Sequence, residues 1–145
     1  MGLPKDRDAR RYYRGAMRRL EDAELILGKL NRAAAAIYLG GYAVECILKA
    51  LMIERTSKGD RGQLLRDLRR DDPRTGRCYG HNLLGLRTGV IQRGVDAPGP
   101  VLGEFVYVES WSEEARYDPA EGSLRDAERF ITAVRRIVAW ADSRI

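Results

Sequence analysis

The longest apolar stretch of the chain runs from Ala33 to Arg55 and contains no proline. Alanine and leucine dominate it, and because both favour the helical state, the stretch predicts one helix about 35 Å long. On a helical wheel it is apolar almost all round, apart from one narrow polar strip formed by Tyr38, Tyr42, Glu45 and Lys49. A helix with so little polar surface is typical of the interior of a bundle.

Glu45 is the residue of this helix that most needs an explanation. A carboxylate among apolar residues is costly unless it is paired. Lys49 follows it by four residues, in the order that favours an ion pair. Tyr38, Tyr42 or Arg116 are the other candidates to satisfy it. We therefore expect Glu45 to belong to a polar network beside a cleft or a dimer interface.

Amphipathic patterns before and after this stretch predict the rest of the fold. Apolar residues recur at helical spacing in three further segments, with shorter apolar segments in the connections. The predicted helices are Asp8–Leu30, Ala33–Arg55, Asn82–Arg93 and one that starts near Ser123, with short helices around Leu64–Leu68 and Val101–Val108. Gly40 and Gly41 would let a neighbouring helix approach the central one closely. The sequence predicts a single domain over residues 1–145, an all-α antiparallel up-and-down bundle of four main helices plus short helices in the connections.

Composition places the chain among globular proteins. Of its 145 residues, 32% are charged and 44% are hydrophobic, which suits a packed core and is unlike a disordered chain. The formal net charge is +5, and the excess is almost entirely arginine, since only four lysines are present. This charge permits a polyanionic partner such as nucleic acid, although an arginine-rich proteome would produce it as well.

Several kinds of site and location are disfavoured by what the sequence lacks. Cys46 and Cys78 are too far apart for a metal or redox motif, and with a single histidine no zinc site is expected. P-loop, Rossmann and H-E-x-x-H patterns are absent, so we expect no cofactor. The first residues lack the apolar core of a signal peptide. Glu45 and Lys49, near the middle of the central helix, argue against a membrane span, and we expect a cytoplasmic protein.

A basic stripe follows the first predicted helix on the face opposite its apolar residues. It consists of Arg7, Arg11, Arg14 and Arg18. Such a stripe is either an ordinary solvated face or a row of phosphate contacts. Because solvated faces are the commoner case, we favour that interpretation at the level of the sequence.

The single histidine, His81, directly follows the long polar connection Thr56–Gly80 and precedes a predicted helix. Arg74 and Arg77 lie in the same connection. A histidine that deprotonates a ribose 2′-hydroxyl, together with cations that stabilise the charge of the transition state, is enough for a metal-independent ribonuclease. The alternative is that His81 caps the helix or packs against the bundle. Since a lone histidine is more often structural, we favour the alternative.

Arg116 and Tyr117 follow two glutamates just before the last predicted helix. They form either an ion pair that fixes a loop or an anion clamp near the start of that helix. The candidate site residues are therefore His81 and Arg116 as catalytic groups, and Tyr42, Glu45, Lys49, Arg74, Arg77 and Tyr117 as ligand-binding groups.

Three motifs of the chain, in order and spacing, resemble those of a HEPN domain. They are G-Y-A-V-E-C-I-L-K-A at Gly41–Ala50, G-H-N-L-L-G-L at Gly80–Leu86 and E-A-R-Y at Glu114–Tyr117. The resemblance covers nearly the whole chain and implies a small antiparallel helical bundle, often a homodimer. It also implies a partner, because many such proteins are encoded beside or fused to a minimal nucleotidyltransferase, in toxin–antitoxin-like pairs. RNA or a nucleotide is then the first ligand to consider.

The resemblance also shows a departure at the catalytic motif of the family's ribonucleases, an arginine followed four to six residues later by a histidine. Arg116 occupies the place of the arginine, but residues 118–123 read D-P-A-E-G-S. We therefore expect a module, non-catalytic by itself, that binds nucleotide, RNA or a nucleotidyltransferase partner, as a homodimer. One alternative is a metal-independent, toxin-type ribonuclease that uses His81 with Arg74, Arg77 or Arg116. The other is a purely structural scaffold for a partner.

Overall fold

The computed structural model describes residues 2–114 and 120–145. Within these residues the chain forms six α-helices and no β-strand. They are α1 (Arg7–Leu30), α2 (Ala33–Glu54), α3 (Arg61–Leu68), α4 (Leu83–Gln92), α5 (Gly99–Val108) and α6 (Leu124–Asp142). The predicted all-α fold is confirmed, and each predicted helix coincides with an observed one to within a few residues.

Four of the helices alternate in direction as an up-and-down bundle should. In the α1–α2 hairpin, the Asp6 N–H at the start of α1 donates to the Glu54 side chain at the end of α2, over 2.8 Å. In the α5–α6 pair, the Trp140 indole near the end of α6 donates to the carbonyl oxygen of Asp96, before α5, at 3.0 Å. At the other end of this pair, Arg129 of α6 lies over the ring of Tyr107 in α5. Both pairs are therefore antiparallel.

The helix predicted as third, α4, instead runs in the same direction as α2. His81, just before α4, contacts Glu45, whereas Arg93, just after it, donates to Thr56, beyond the end of α2. The chain between α2 and α4 therefore returns along the bundle before α4 begins. As a consequence α5, predicted as a short helix of a connection, takes the third place in the alternating set.

The central position predicted for α2 is observed. Fourteen of its 22 residues are buried, and it packs against α1, α4 and α6. Among the described helices it alone is long and apolar enough to cross a membrane, but 72% of its most apolar window is buried inside the protein. That burial is typical of the core helix of a bundle.

The two glycines of α2 are sites of close approach, as the sequence predicts. A Cβ atom at Gly40 would lie 2.8 Å from Ile131 Cδ1 of α6. At Gly41 the neighbour is a side chain rather than a helix, because a Cβ there would lie 2.0 Å from the Trp111 indole. A larger residue at Gly41 would therefore displace Trp111, whereas one at Gly40 would require the Ile131 side chain to shift.

The buried carboxylate of Glu104 fixes α5 to α6. It is 7% exposed, and it accepts hydrogen bonds from Arg129 Nη1 at 2.9 Å and from Arg136 Nη1 at 2.6 Å. The hydrogen bond from Arg129, the largest effect, holds the pKa of Glu104 below its ordinary value. The two guanidinium groups thus offset the cost of burying the carboxylate. The same hydrogen bond orients Arg129 at the surface between α5 and α6.

Candidate functional site

The polar strip of α2 meets the single histidine in a buried network. Glu45 is 3% exposed and Lys49 is 7% exposed. Lys49 Nζ donates to Glu45 Oε2 over 3.1 Å, and His81 Nδ1 lies 2.7 Å from Glu45 Oε1. Because a carboxylate only accepts hydrogen bonds, Nδ1 carries the hydrogen and Nε2 is the ring nitrogen that remains for other partners. Both carboxylate oxygens are thus satisfied, which offsets the cost of burying the charge.

A glycine brings the histidine-bearing turn against α2. Residues Tyr79–His81 form a short 3-10 helix, and the Asn82 side chain then caps α4. A Cβ atom at Gly80 would lie 2.6 Å from the carbonyl oxygen of Leu68 and 3.1 Å from Lys49 Nζ. Glycine is therefore required for this turn to come so close to the network.

The pairing of Glu45 with His81 is the feature of the network that sequence reasoning missed. Lys49, predicted as a partner of Glu45, is observed in that role. The sequence favours a lone structural histidine that caps α4 or packs against the bundle, but in the structure Asn82 is the cap and His81 has a carboxylate partner. Glu45 and His81 are 36 residues apart, and no local pattern connects them.

Aromatic side chains border the network on two sides. The Tyr42 ring meets His81 edge to face, with ring centroids 6.4 Å apart, and meets Trp111 at 4.9 Å. On the other side, Lys49 Nζ lies 5.3 Å from the centroid of the Tyr12 ring of α1. The network is therefore bordered by Tyr12 at one end and by the Tyr42–Trp111 pair at the other.

The two arginines predicted to assist His81 are each bound to a carboxylate. Arg74 Nη2 lies 3.2 Å from Asp72 Oδ2, and Arg77 Nη2 lies 2.8 Å from Glu113 Oε2. Burial is the largest single effect and acts to raise the pKa of Glu113, but the Arg77 guanidinium and a backbone hydrogen bond together outweigh burial, so the pKa lies below its ordinary value. The cavity beside these pairs has a volume of about 100 Å³, which is smaller than a typical ligand site of about 300–1,000 Å³. Its lining includes Asp72, Thr75, Arg77, Cys78, Tyr79 and Asn82.

Arg116 and Tyr117, the candidates before the last helix, lie outside the described residues. The described chain stops at Glu114 and resumes at Ala120.

A larger cavity, of about 510 Å³, lies where α2, α5 and α6 meet. Its described lining is Ile37, Tyr107, Ser110, Trp111, Ser112, Asp126, Arg129 and Phe130. The Arg129 guanidinium carbon lies 3.6 Å from the centroid of the Tyr107 ring, and Trp111 belongs both to this cavity and to the Tyr42 pair. We call it the Trp111 cavity. Its volume falls in the usual range for small-molecule sites.

Sequence reasoning missed the Trp111 cavity because its walls come from distant segments. The sequence predicts a short helix over Val101–Val108, but this prediction does not show which other helix packs against it. Aromatic rings and an arginine suit a flat, electron-rich ligand, while the two serines and Asp126 supply hydrogen-bonding groups. The described residues contain no cluster of three or more His, Cys, Asp or Glu side chains that could hold a metal ion.

Comparison with known protein families places these features in context. The family model for the HEPN domain matches residues 9–144, nearly the whole chain. Comparison with curated proteins and with solved structures gave no match. The network joins the first two of the three motifs noted above, since Glu45 and Lys49 come from the first and His81 comes from the second. The chain belongs to the HEPN domain family.

Proposed function

We propose that this HEPN domain binds RNA or a nucleotide and does not cleave RNA by itself. The observation that carries the proposal is the Trp111 cavity, which is large enough for a nucleotide and adjoins the network through Trp111 and Tyr42. Proteins that bind single strands place bases against aromatic side chains and arginine planes. In this cavity Tyr107, Trp111 and Phe130 supply the rings and Arg129 supplies the guanidinium.

The absence of cleavage is supported by the pairing around His81. Arg74 and Arg77 each pair with a carboxylate, Asp72 or Glu113, and this pairing reduces the net positive charge that they present to a developing phosphorane. General acid–base cleavage also needs a second group to protonate the leaving oxygen, most often a histidine, and the chain has no second histidine for this role. A binding module fits these facts better than a nuclease does.

Substitution of Tyr107 tests the role of the Trp111 cavity. Tyr107 is 46% exposed and lines the cavity, whereas its neighbour Val106 is 69% exposed and is not among the described lining residues. Loss of one base–aromatic contact costs about 1–3 kcal/mol, or about 5- to 150-fold in affinity. We expect Tyr107→Ala to weaken binding by this factor and Val106→Ala to leave it unchanged. The measurement is fluorescence anisotropy with labelled single-stranded RNA, with competition by nucleoside monophosphates, and equal affinities for both variants and wild type would refute the role of the cavity.

One observation favours ribonuclease activity as the second candidate. His81 has the carboxylate partner that a catalytic base requires, because Glu45 at 2.7 Å fixes the ring and leaves Nε2 available. In this alternative Arg116, Arg74 or Arg77 stabilises the transition state. Cleavage of RNA without metal that is lost in His81→Ala would establish it, and cleavage lost only in Arg116→Ala would place the activity at the family motif.

Family membership motivates three further parts of the proposal. The domain forms a homodimer, associates with a nucleotidyltransferase protein and acts in the cytoplasm, in a toxin–antitoxin-like pair. In one version of this proposal the domain is a purely structural scaffold, which binds the partner protein but not RNA. Sedimentation of the purified chain, alone and with the candidate partner, tests the homodimer and the partner. A monomer that does not bind the partner would exclude both.

A further inference from the structure

Four arginines of α1 line one groove on the surface of the bundle. They are Arg7, Arg10, Arg11 and Arg14, and the groove has a volume of about 310 Å³. No carboxylate belongs to its described lining. We call it the α1 arginine groove. It differs from the stripe seen in the sequence, because Arg10 belongs to it and Arg18 does not.

The charges of this groove are not neutralised by the protein. Arg10 donates to the backbone oxygens of Pro4 at 3.0 Å and Lys5 at 3.2 Å, which fix the guanidinium without cancelling its charge. Within the described part of the chain, Arg7, Arg11 and Arg14 take part in no ion pair. The acidic residue that precedes them, Asp6, is occupied, since it caps α1 and pairs with Arg61 at 3.2 Å.

Arginines elsewhere on the same helix behave differently. Arg18 lies 3.7 Å and Arg19 lies 2.7 Å from the carboxylate of Asp22. The second half of α1 thus has the paired charges of an ordinary solvated face, whereas the first half concentrates unpaired positive charge in a concave surface. Such a surface raises the local concentration of anions.

The groove adjoins the candidate site. The Arg11 guanidinium carbon lies 5.8 Å from the centroid of the Tyr12 ring, and Lys49 Nζ lies 5.3 Å from the same centroid. Lys49 in turn binds Glu45, which binds His81. One aromatic ring, that of Tyr12, therefore separates the groove from the network. An extended anionic ligand that reaches the network would place further charged groups against the arginines of the groove.

We propose that the α1 arginine groove binds the phosphodiester backbone of single-stranded RNA. This inference rests on the proposed function and narrows its ligand to a strand rather than a mononucleotide. Guanidinium groups bind phosphate oxygens through paired hydrogen bonds, which lysine cannot do. The fixed guanidinium of Arg10 positions the strand, and Arg7, Arg11 and Arg14 neutralise its phosphates.

The salt dependence of RNA binding tests the proposal. Each phosphate neutralised on a single strand contributes about −0.7 to the slope of log affinity against log salt. The variant Arg7→Gln/Arg11→Gln/Arg14→Gln should therefore reduce the slope by about 2. Between about 50 and 200 mM salt, wild type should lose roughly 15- to 20-fold more affinity than this variant. Competition by nucleoside monophosphates at the Trp111 cavity should not change.

A matched control removes the same charge from the other half of the helix. Arg18→Gln/Arg19→Gln/Lys29→Gln lowers the net charge equally and should keep the wild-type slope. The Arg7→Lys/Arg11→Lys/Arg14→Lys variant should keep the slope as well but bind more weakly, because the paired hydrogen bonds are lost. Circular dichroism of all variants verifies that α1 is intact.

The outcomes separate this inference from the proposed function. If wild type binds neither RNA nor mononucleotide, both are wrong. If wild type binds RNA but the groove variant and its control have the same salt slope, the groove inference alone is overturned. The groove inference is also overturned if the groove variant loses binding to vesicles of anionic lipid and retains RNA binding, since the groove would then bind a membrane surface.

Discussion

Replacing Glu45 by glutamine removes one negative charge from the buried network and changes little in size. Lys49 is 7% exposed, and Glu45 is the carboxylate that pairs with it, at 3.1 Å. Removing one partner of a buried ion pair costs about 3–5 kcal/mol, because the other charge remains buried without compensation. Glutamine retains one oxygen that can accept from either Lys49 or His81, so we expect the lower end of that range, about 3 kcal/mol.

Urea denaturation followed by circular dichroism measures this loss. With a slope of about 1–3 kcal/mol per molar urea for a small domain, the midpoint of Glu45→Gln should fall by about 1–3 M. The double variant Glu45→Leu/Lys49→Met removes both charges and should recover most of the lost stability, since apolar replacement of a buried pair is often neutral. A loss below about 1 kcal/mol in Glu45→Gln would show that the pair is solvated, and the description of a buried network would be wrong.

Three further changes follow from contacts of the bundle. Gly41→Ala should destabilise the protein by about 1–3 kcal/mol in thermal unfolding, because its Cβ would overlap Trp111, and an unchanged melting temperature would contradict this packing. Glu104→Gln should destabilise at neutral pH and lose its effect in acid. The pKa of Glu104 is lowered, chiefly by Arg129. The ionised carboxylate therefore contributes to stability above the ordinary pKa of 4.5, and this contribution disappears as pH falls through the lowered pKa. A difference in unfolding free energy that does not depend on pH would exclude the ion pairs as its cause. Burial raises the pKa of the Cys46 thiol to about 11. Reaction of Cys46 with a thiol reagent, followed in the peptide that contains it, should therefore be slow at pH 8 and accelerate only towards pH 11. Rapid labelling of Cys46 at pH 8 would contradict the burial of its thiol.

Local periodicity was sufficient to predict the helices. The apolar spacing of α1, α2 and α6 gave their extents to within a few residues, because each of these helices buries one continuous face or, for α2, nearly its whole surface. Directions were harder to predict. The chain between α2 and α4 returns along the bundle, and no pattern in a polar connection records its path, so α4 and α5 exchanged their predicted roles.

The candidate site was predictable only where its contacts are local. Glu45 and Lys49 are one helical turn apart, so their ion pair follows from spacing. The contact of Glu45 with His81 and the meeting of Trp111 with Tyr42 join distant segments. They depend on how the bundle packs and on the space left by Gly41 and Gly80. The unpaired state of the α1 arginines likewise depends on which carboxylates the fold brings near them, and the helical wheel cannot show this.

Binding of RNA without cleavage is tested most directly by incubation of the purified protein with labelled single-stranded RNA in the absence of metal, analysed on native and denaturing gels in parallel. Binding without cleavage predicts a shifted band on the native gel and full-length RNA on the denaturing gel, for wild type and for His81→Ala. Cleavage by wild type that disappears in His81→Ala would contradict it and would make the Glu45–His81 pair a catalytic dyad. Absence of any shift would contradict RNA binding itself.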